Sequence, residues 1–95
     1  MAKLTARGHT ILARWRKDWA TPDDDLASER TREYAVRSDG TILVRNVTRF
    51  RSHPEPFDQG WKVYGRAKKG RDLLGYIKRL GESLAEKGFE EVDGQ

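Results

Sequence analysis

The stretch TREYAVRSDGTILVRNVTRF, residues Thr31 to Phe50, decides the fold. Tyr34, Val36, Ile42 and Val44 alternate with polar neighbours, and β-branched residues are frequent, the pattern of two half-buried strands. Ser38-Asp39-Gly40 between them is a turn signal. Loop length follows from how each choice sorts the side chains. A two-residue loop, Asp39-Gly40, sets Val36 opposite Leu43 and Tyr34 opposite Arg45. A three-residue loop with Gly40 in the left-handed conformation sets Val36 opposite Ile42 and Tyr34 opposite Val44. Only the second collects one apolar face, Tyr34, Val36, Ile42 and Val44, with Phe50 further on. Because side chains repeat every two residues, a one-residue slip destroys that sorting. The other face then carries Arg37, Arg45, Arg49 and Arg51, with Leu43, Val47 and Glu33 among them.

Working toward the C-terminus, RSHPEPFDQG (51–60) holds two prolines and reads as a loop. Gly60 to Arg66 reads as a strand, with Trp61 and Val63 facing the core and Lys62, Tyr64 and Arg66 facing outward. The chain then changes period. Leu73, Ile77, Leu80 and Leu84 recur at helical spacing, predicting a helix from Asp72 to about Lys87, with Leu74 and Ala85 widening its stripe. Asp72 suits the N-cap. Gly88 suits the position after the helix, with Phe89 behind it closing a Schellman contact. Gly75 and Gly81 weaken a helix by roughly 1 kcal/mol each relative to Ala, and they let it lie close to a sheet. Phe89 to Val92 is a final short strand or a tail.

Toward the N-terminus, HTILARWRKDW (9–19) supports two readings. Ile11, Ala13 and Trp15 alternate with Leu12, Arg14 and Arg16, as in a strand. Leu4, Gly8, Ile11, Leu12, Trp15 and Trp19 also form a helical stripe, although several of these are mediocre helix formers. Thr21-Pro22-Asp23-Asp24 reads as a short helical turn with Pro at its first position, or as an acidic loop.

The chain has 95 residues, 36% of them hydrophobic and 36% charged, which suits one small, highly charged domain. There is no cysteine, so disulfides, thiolate metal sites and cysteine catalysis are excluded, and a reducing cytoplasm is the expected setting. No apolar run approaches the roughly 20 residues of a membrane span. His9 and His53 lack further ligands at metal spacing. Asp23-Asp24-Asp25 lacks the glycine and spacing of a calcium loop. The serines sit in no nucleophile-elbow motif. Gly65 to Gly70 lacks the Gly-Lys-Ser/Thr ending of a phosphate loop. The expectation is a non-enzymatic protein without cofactor or metal.

Charge is segregated around a net +4. Gly60 to Arg79 holds seven Lys/Arg against one Asp, whereas 20–29 and 80–95 are each acidic by four. A basic sheet face of Arg37, Arg45, Arg49, Arg51, Lys62, Tyr64 and Arg66, extended at the strand-to-helix turn by Lys68, Lys69 and Arg71, is the expected nucleic-acid site. Guanidinium and ammonium groups neutralise phosphates and release counterions. Tyr64 offers a ring for an unpaired base. Arg14 and Arg16 join this face if the N-terminal segment is a strand. A docking protein that regulates or inhibits a protein partner through a sheet edge or the acidic C-terminal end is the alternative.

With an N-terminal helix, the order helix, three strands, helix resembles double-stranded-RNA-binding domains, in which a Lys-Lys pair opens the last helix; Ala67-Lys68-Lys69 stands in the comparable place. With an N-terminal strand, four strands and a helix resemble the topology of Whirly-type and Pur-type single-strand binders. The compact chain, rich in Arg and Trp, also resembles small accessory proteins of bacteriophages. The architecture expected is α+β: a meander of three to four antiparallel strands with one C-terminal helix on its apolar face. Its core would be Trp15, Tyr34, Val36, Ile42, Val44, Trp61, Val63, Leu73, Ile77, Leu80 and Leu84.

Overall fold

Gly40 adopts φ +87°, in the region closed to most side chains, and its amide donates to the Arg37 carbonyl at 2.9 Å. Ser38-Asp39-Gly40 is therefore the loop, with Val36 opposite Ile42 and Tyr34 opposite Val44. The computed structural model describes residues 10–67 and 72–92. Its elements are β1 (Ile11–Ala20), β2 (Ala27–Arg37), β3 (Thr41–Phe50), β4 (Phe57–Arg66), α1 (Leu73–Glu86) and β5 (Glu90–Val92). The strands form one antiparallel sheet in the order β4-β3-β2-β1-β5. The α+β meander with a single C-terminal helix is thus observed, with a fifth strand where the sequence left a strand or a tail.

The N-terminal ambiguity resolves as a strand. β1 runs antiparallel to β2 from Ala13 opposite Val36 to Ala20 opposite Glu29. Trp15 and Ala13 are buried under α1, while Arg14 lies on the far face against Glu33. Among the described residues the order begins with this strand, not with the helix of double-stranded-RNA-binding domains. One detail differs from simple alternation. Ile11 pairs with Arg37 and Ala13 with Val36, so Leu12 is an extra residue. This bulge moves Ile11 to the face opposite Ala13, where it packs with Ala35 and Leu43.

β4 starts earlier than expected, at Phe57, and from Trp61 to Tyr64 its faces are inverted. It carries Gln59 and Gly60 where β3 carries Asn46 alone, and Tyr64 is extra between Val63 and Gly65. Trp61 consequently sits opposite Arg45, and Val63 opposite Leu43. Trp61 joins Ile11, Ala35 and Leu43 in a second, smaller cluster on the face away from α1. Val63 is exposed rather than core. Lys62 sits opposite Val44, and Tyr64 meets Tyr34 edge-on at 5.3 Å between ring centres, both on the α1 side.

The β1–β2 connection is a tight turn rather than a helical one. The Asp24 amide donates to the Thr21 carbonyl at 3.1 Å. The Asp24 carboxylate accepts from the amides of Leu26 and Ala27 at 2.8 and 3.0 Å, which redirects the chain into β2.

α1 packs with Leu84 buried and Leu73, Tyr76, Ile77 and Leu80 half-buried against Ala13, Trp15, Val36 and Ile42. Leu74 is 71% exposed, so it does not widen the stripe. A Cβ at Gly81 would lie 3.2 Å from Trp15 Nε1, so this glycine sets how closely the helix meets the sheet. Asp72 occupies the N-cap position without a side-chain capping bond. The helix ends as predicted. Gly88 has φ +92°, its amide donates to Ala85 O, and the Phe89 amide donates to Leu84 O, each at 3.0 Å. That cap feeds β5 onto the outer edge of β1, Arg16 opposite Glu90. Among the described residues no helix is long and apolar enough to cross a membrane.

Candidate nucleic-acid interface

Strand alternation divides the charges of β1–β4 unequally between the two faces. On the face away from α1 lie six arginines of β1–β4; five of them have a carboxylate partner, and the sixth, Arg66, stands exposed opposite Thr41 at the end of β4. Arg14 Nη2 meets Glu33 Oε2 at 2.7 Å, Arg16 Nε meets Asp18 Oδ2 at 3.2 Å, and Arg37 Nε meets Asp39 Oδ1 at 3.6 Å. Arg49 Nε meets Glu29 Oε1 at 3.2 Å. Arg45 reaches Asp58 at 2.5 Å and Glu33 at 3.5 Å. The Arg14 and Arg45 guanidinium carbons also lie 5.8 and 5.9 Å from the Trp61 ring centre. Hydrogen bonding from Arg45 holds the Asp58 carboxyl below its usual pKa, and the same bond raises that of Arg45. The Thr31 hydroxyl, which donates to Asp18, and then Arg16, lower the pKa of Asp18. This face is largely self-neutralised.

The ten residues expected to form one basic patch are therefore divided. Arg37, Arg45 and Arg49 share the outer face as expected, but in ion pairs. Arg51 leaves the sheet. Its Nε donates to Asp24 O at 3.0 Å and its Nη2 to Thr21 O at 2.9 Å, so it ties the β1–β2 turn to the end of β3. Lys62 and Tyr64 occupy the opposite, α1-side face, a consequence of the β4 bulges. Arg66 is exposed at the end of β4, opposite Thr41, and so lies on the outer face as expected. Lys68, Lys69 and Arg71 lie outside the described residues.

The α1-side face tells a different story. A 14-residue helix is about 21 Å long, whereas a ten-residue strand is about 33 Å. α1 covers the half near the Gly40 turn and leaves the other half open. The register places two cross-strand rows there: Trp19, Arg30, Thr48 and Phe57, and beside it Lys17, Arg32, Asn46 and Gln59. Lys62 stands in the next row, opposite Val44. A shallow concavity of about 280 Å³ opens here, lined by Trp19, Arg30, Arg32, Asn46, Thr48 and Gln59 among others. Arg32 Nε donates to Asn46 Oδ1 at 2.8 Å. The Lys17 ammonium lies 5.9 Å from the Trp19 ring centre and donates to the Lys87 carbonyl at 2.7 Å. Arg30 reaches one carboxylate, Asp24 in the neighbouring turn, at 3.3 Å.

The four carboxylates of β1–β4, Asp18, Glu29, Glu33 and Asp58, all lie on the other face, against Thr31, Arg49, Arg14 and Arg45 respectively. Lys17, Arg30, Arg32 and Lys62 thus share a face on which these strands place no acid. Sequence reasoning missed Lys17, Trp19, Arg30 and Arg32. The signal was present in parity: cations at 17, 30 and 32, carboxylates at 18, 29 and 33. Among the described residues no three His, Asp or Glu side chains converge to hold a metal ion. No protein-family model matches the chain, and neither a curated protein nor a solved structure matches it.

Proposed function

We propose that this is a non-enzymatic nucleic-acid-binding protein that engages backbone phosphates with the uncovered half of the α1-side sheet face. The observation that carries this reading is the charge sorting. The strands direct their carboxylates to one face, and leave Arg30 and Arg32 lining an open concavity on the other, with Lys17 and Lys62 on the same face. Cations without strand carboxylates beside them neutralise phosphate at the smallest cost in broken ion pairs. Lys68, Lys69 and Arg71 follow β4 in sequence and add positive charge after the strand that bears Lys62. Phosphate contacts of this kind position a chain without reading its sequence.

The test is a salt-titrated binding assay with Arg30→Ala/Arg32→Ala/Lys62→Ala, using Arg16→Ala/Arg49→Ala from the paired face as the control. The first variant should lose affinity to a similar degree for every sequence and flatten the salt slope by roughly 2–3 units. The control should bind nearly as the wild type does. No binding to any nucleic acid at low salt, together with one stoichiometric protein partner, would replace this reading with the protein-docking one.

A further inference from the structure

We infer that the ligand of this face is a single strand, laid across β1 to β4 with unpaired bases stacked on Trp19 and Phe57. The inference rests on the nucleic-acid reading above and adds the substrate class. Trp19 and Phe57 are the two ends of one cross-strand row, with Arg30 and Thr48 between them. Neighbouring strands are about 4.8 Å apart, so three steps separate the rings by about 14 Å. Trp19 is half-buried and Phe57 is 55% exposed, so each presents ring surface to solvent. Phe57 stands with Phe50, His53 and Pro56 at a second opening at this end of the sheet, outside both buried clusters. Arg32, braced by Asn46, and Lys17 supply charge in the adjacent row.

Shape decides between duplex and single strand. Duplex bases are read by a helix or ribbon that projects into a groove. Here Arg30 and Arg32 line a concavity, with α1 covering the half of the face beside it, so among the described residues no helix or ribbon projects from this half. Exposed rings interleaved with guanidinium groups suit bases whose faces are free, which only unpaired nucleotides offer. The stacking surface and the charged row then act on different parts of one ligand, bases and phosphates.

The experiment uses the full chain with oligo(dT) and oligo(U) of about 12 nucleotides and a duplex of the same length, within the site sizes of sheet-based single-strand binders. Binding is followed by anisotropy of the labelled oligonucleotide and by intrinsic tryptophan fluorescence. Single strands should bind at least tenfold more tightly than duplex and quench the tryptophan emission. Trp19→Phe should remove most of that quenching. Trp19→Ala and Phe57→Ala should each weaken single-strand binding about five- to a hundredfold, with the salt slope unchanged because no charge is lost. If either alanine variant fails to fold by circular dichroism, Trp19→Leu and Phe57→Leu keep apolar bulk without an aromatic ring and should weaken binding in the same way. Duplex bound as tightly as single strands, or wild-type affinity in the folded ring variants, overturns the single-strand inference while leaving phosphate binding intact. Absence of binding to all three probes overturns the underlying reading instead.

Discussion

Replacing Glu33 by Ala removes the carboxylate that joins the arginines of the paired face. Glu33 is 5% exposed, and its side chain bridges Arg14 at 2.7 Å and Arg45 at 3.5 Å. Arg45 keeps Asp58 after the change, so the loss falls on Arg14. The Arg14 side chain is only 18% exposed, and its Nε is already buried without a hydrogen-bond partner. Stranding a fully buried charge costs about 3–5 kcal/mol. The water access that Arg14 retains, and the second partner of Arg45, reduce this to about 2–3 kcal/mol. A domain of this size has about 5–15 kcal/mol in total, so the loss is large. It corresponds to a fall of roughly 10–20 °C in the thermal midpoint. Urea titration followed by circular dichroism measures it directly. Arg14→Met/Glu33→Met removes both charges while keeping bulk, and should be more stable than Glu33→Ala by about 1 kcal/mol or more. A Glu33→Ala variant within about 0.5 kcal/mol of wild type would refute the argument. So would strict additivity of Arg14→Met and Glu33→Met, because residues in one network must couple.

Gly40→Val forces a β-branched residue to φ +87° and should destabilise the hairpin by roughly 1–3 kcal/mol; an unchanged denaturation midpoint would show that the backbone there is not left-handed. Acid should unfold the protein through Asp18 and Asp58. Both carboxyls titrate below the ordinary 3.8 in the folded state, Asp18 chiefly through the Thr31 hydroxyl and Asp58 chiefly through Arg45. Their stabilisation is present above that ordinary value and is lost as pH falls through the lowered ones. Stability plotted against pH should therefore decline below about pH 4, and Asp58→Asn should flatten that decline. A variant with the wild-type acid limb would remove Asp58 from this account.

Local physics was legible in the chain. The Gly40 loop followed from asking which register sorts Tyr34, Val36, Ile42 and Val44 onto one face, and the structure has that register. The helix, its Gly88–Phe89 cap and its stripe of Leu73, Ile77, Leu80 and Leu84 followed from a 3.6-residue period and the requirement for positive φ. Each of these rests on interactions within a few residues, or on one hairpin whose partners are adjacent in sequence.

What the chain alone left undecided depends on parity and on distance. A period of two says that Trp61 and Lys62 face opposite ways, but not which of them faces the helix. Extra residues at Leu12, within Gln59-Gly60 and at Tyr64 reset that parity, so Ile11, Trp61 and Val63 leave the helix side while Lys62 and Tyr64 join it. The arginines read as a basic face were chosen without their partners. Glu33 meets Arg14 from 19 residues away, and Asp58 meets Arg45 from 13. The open half that gathers Trp19, Arg30, Arg32 and Phe57 exists because a 14-residue helix is shorter than the ten- and eleven-residue strands it packs on. Backbone preference and side-chain period are properties of neighbours along the chain. Which face is covered, and which charge is cancelled, depends on strands that meet only after the sheet has formed.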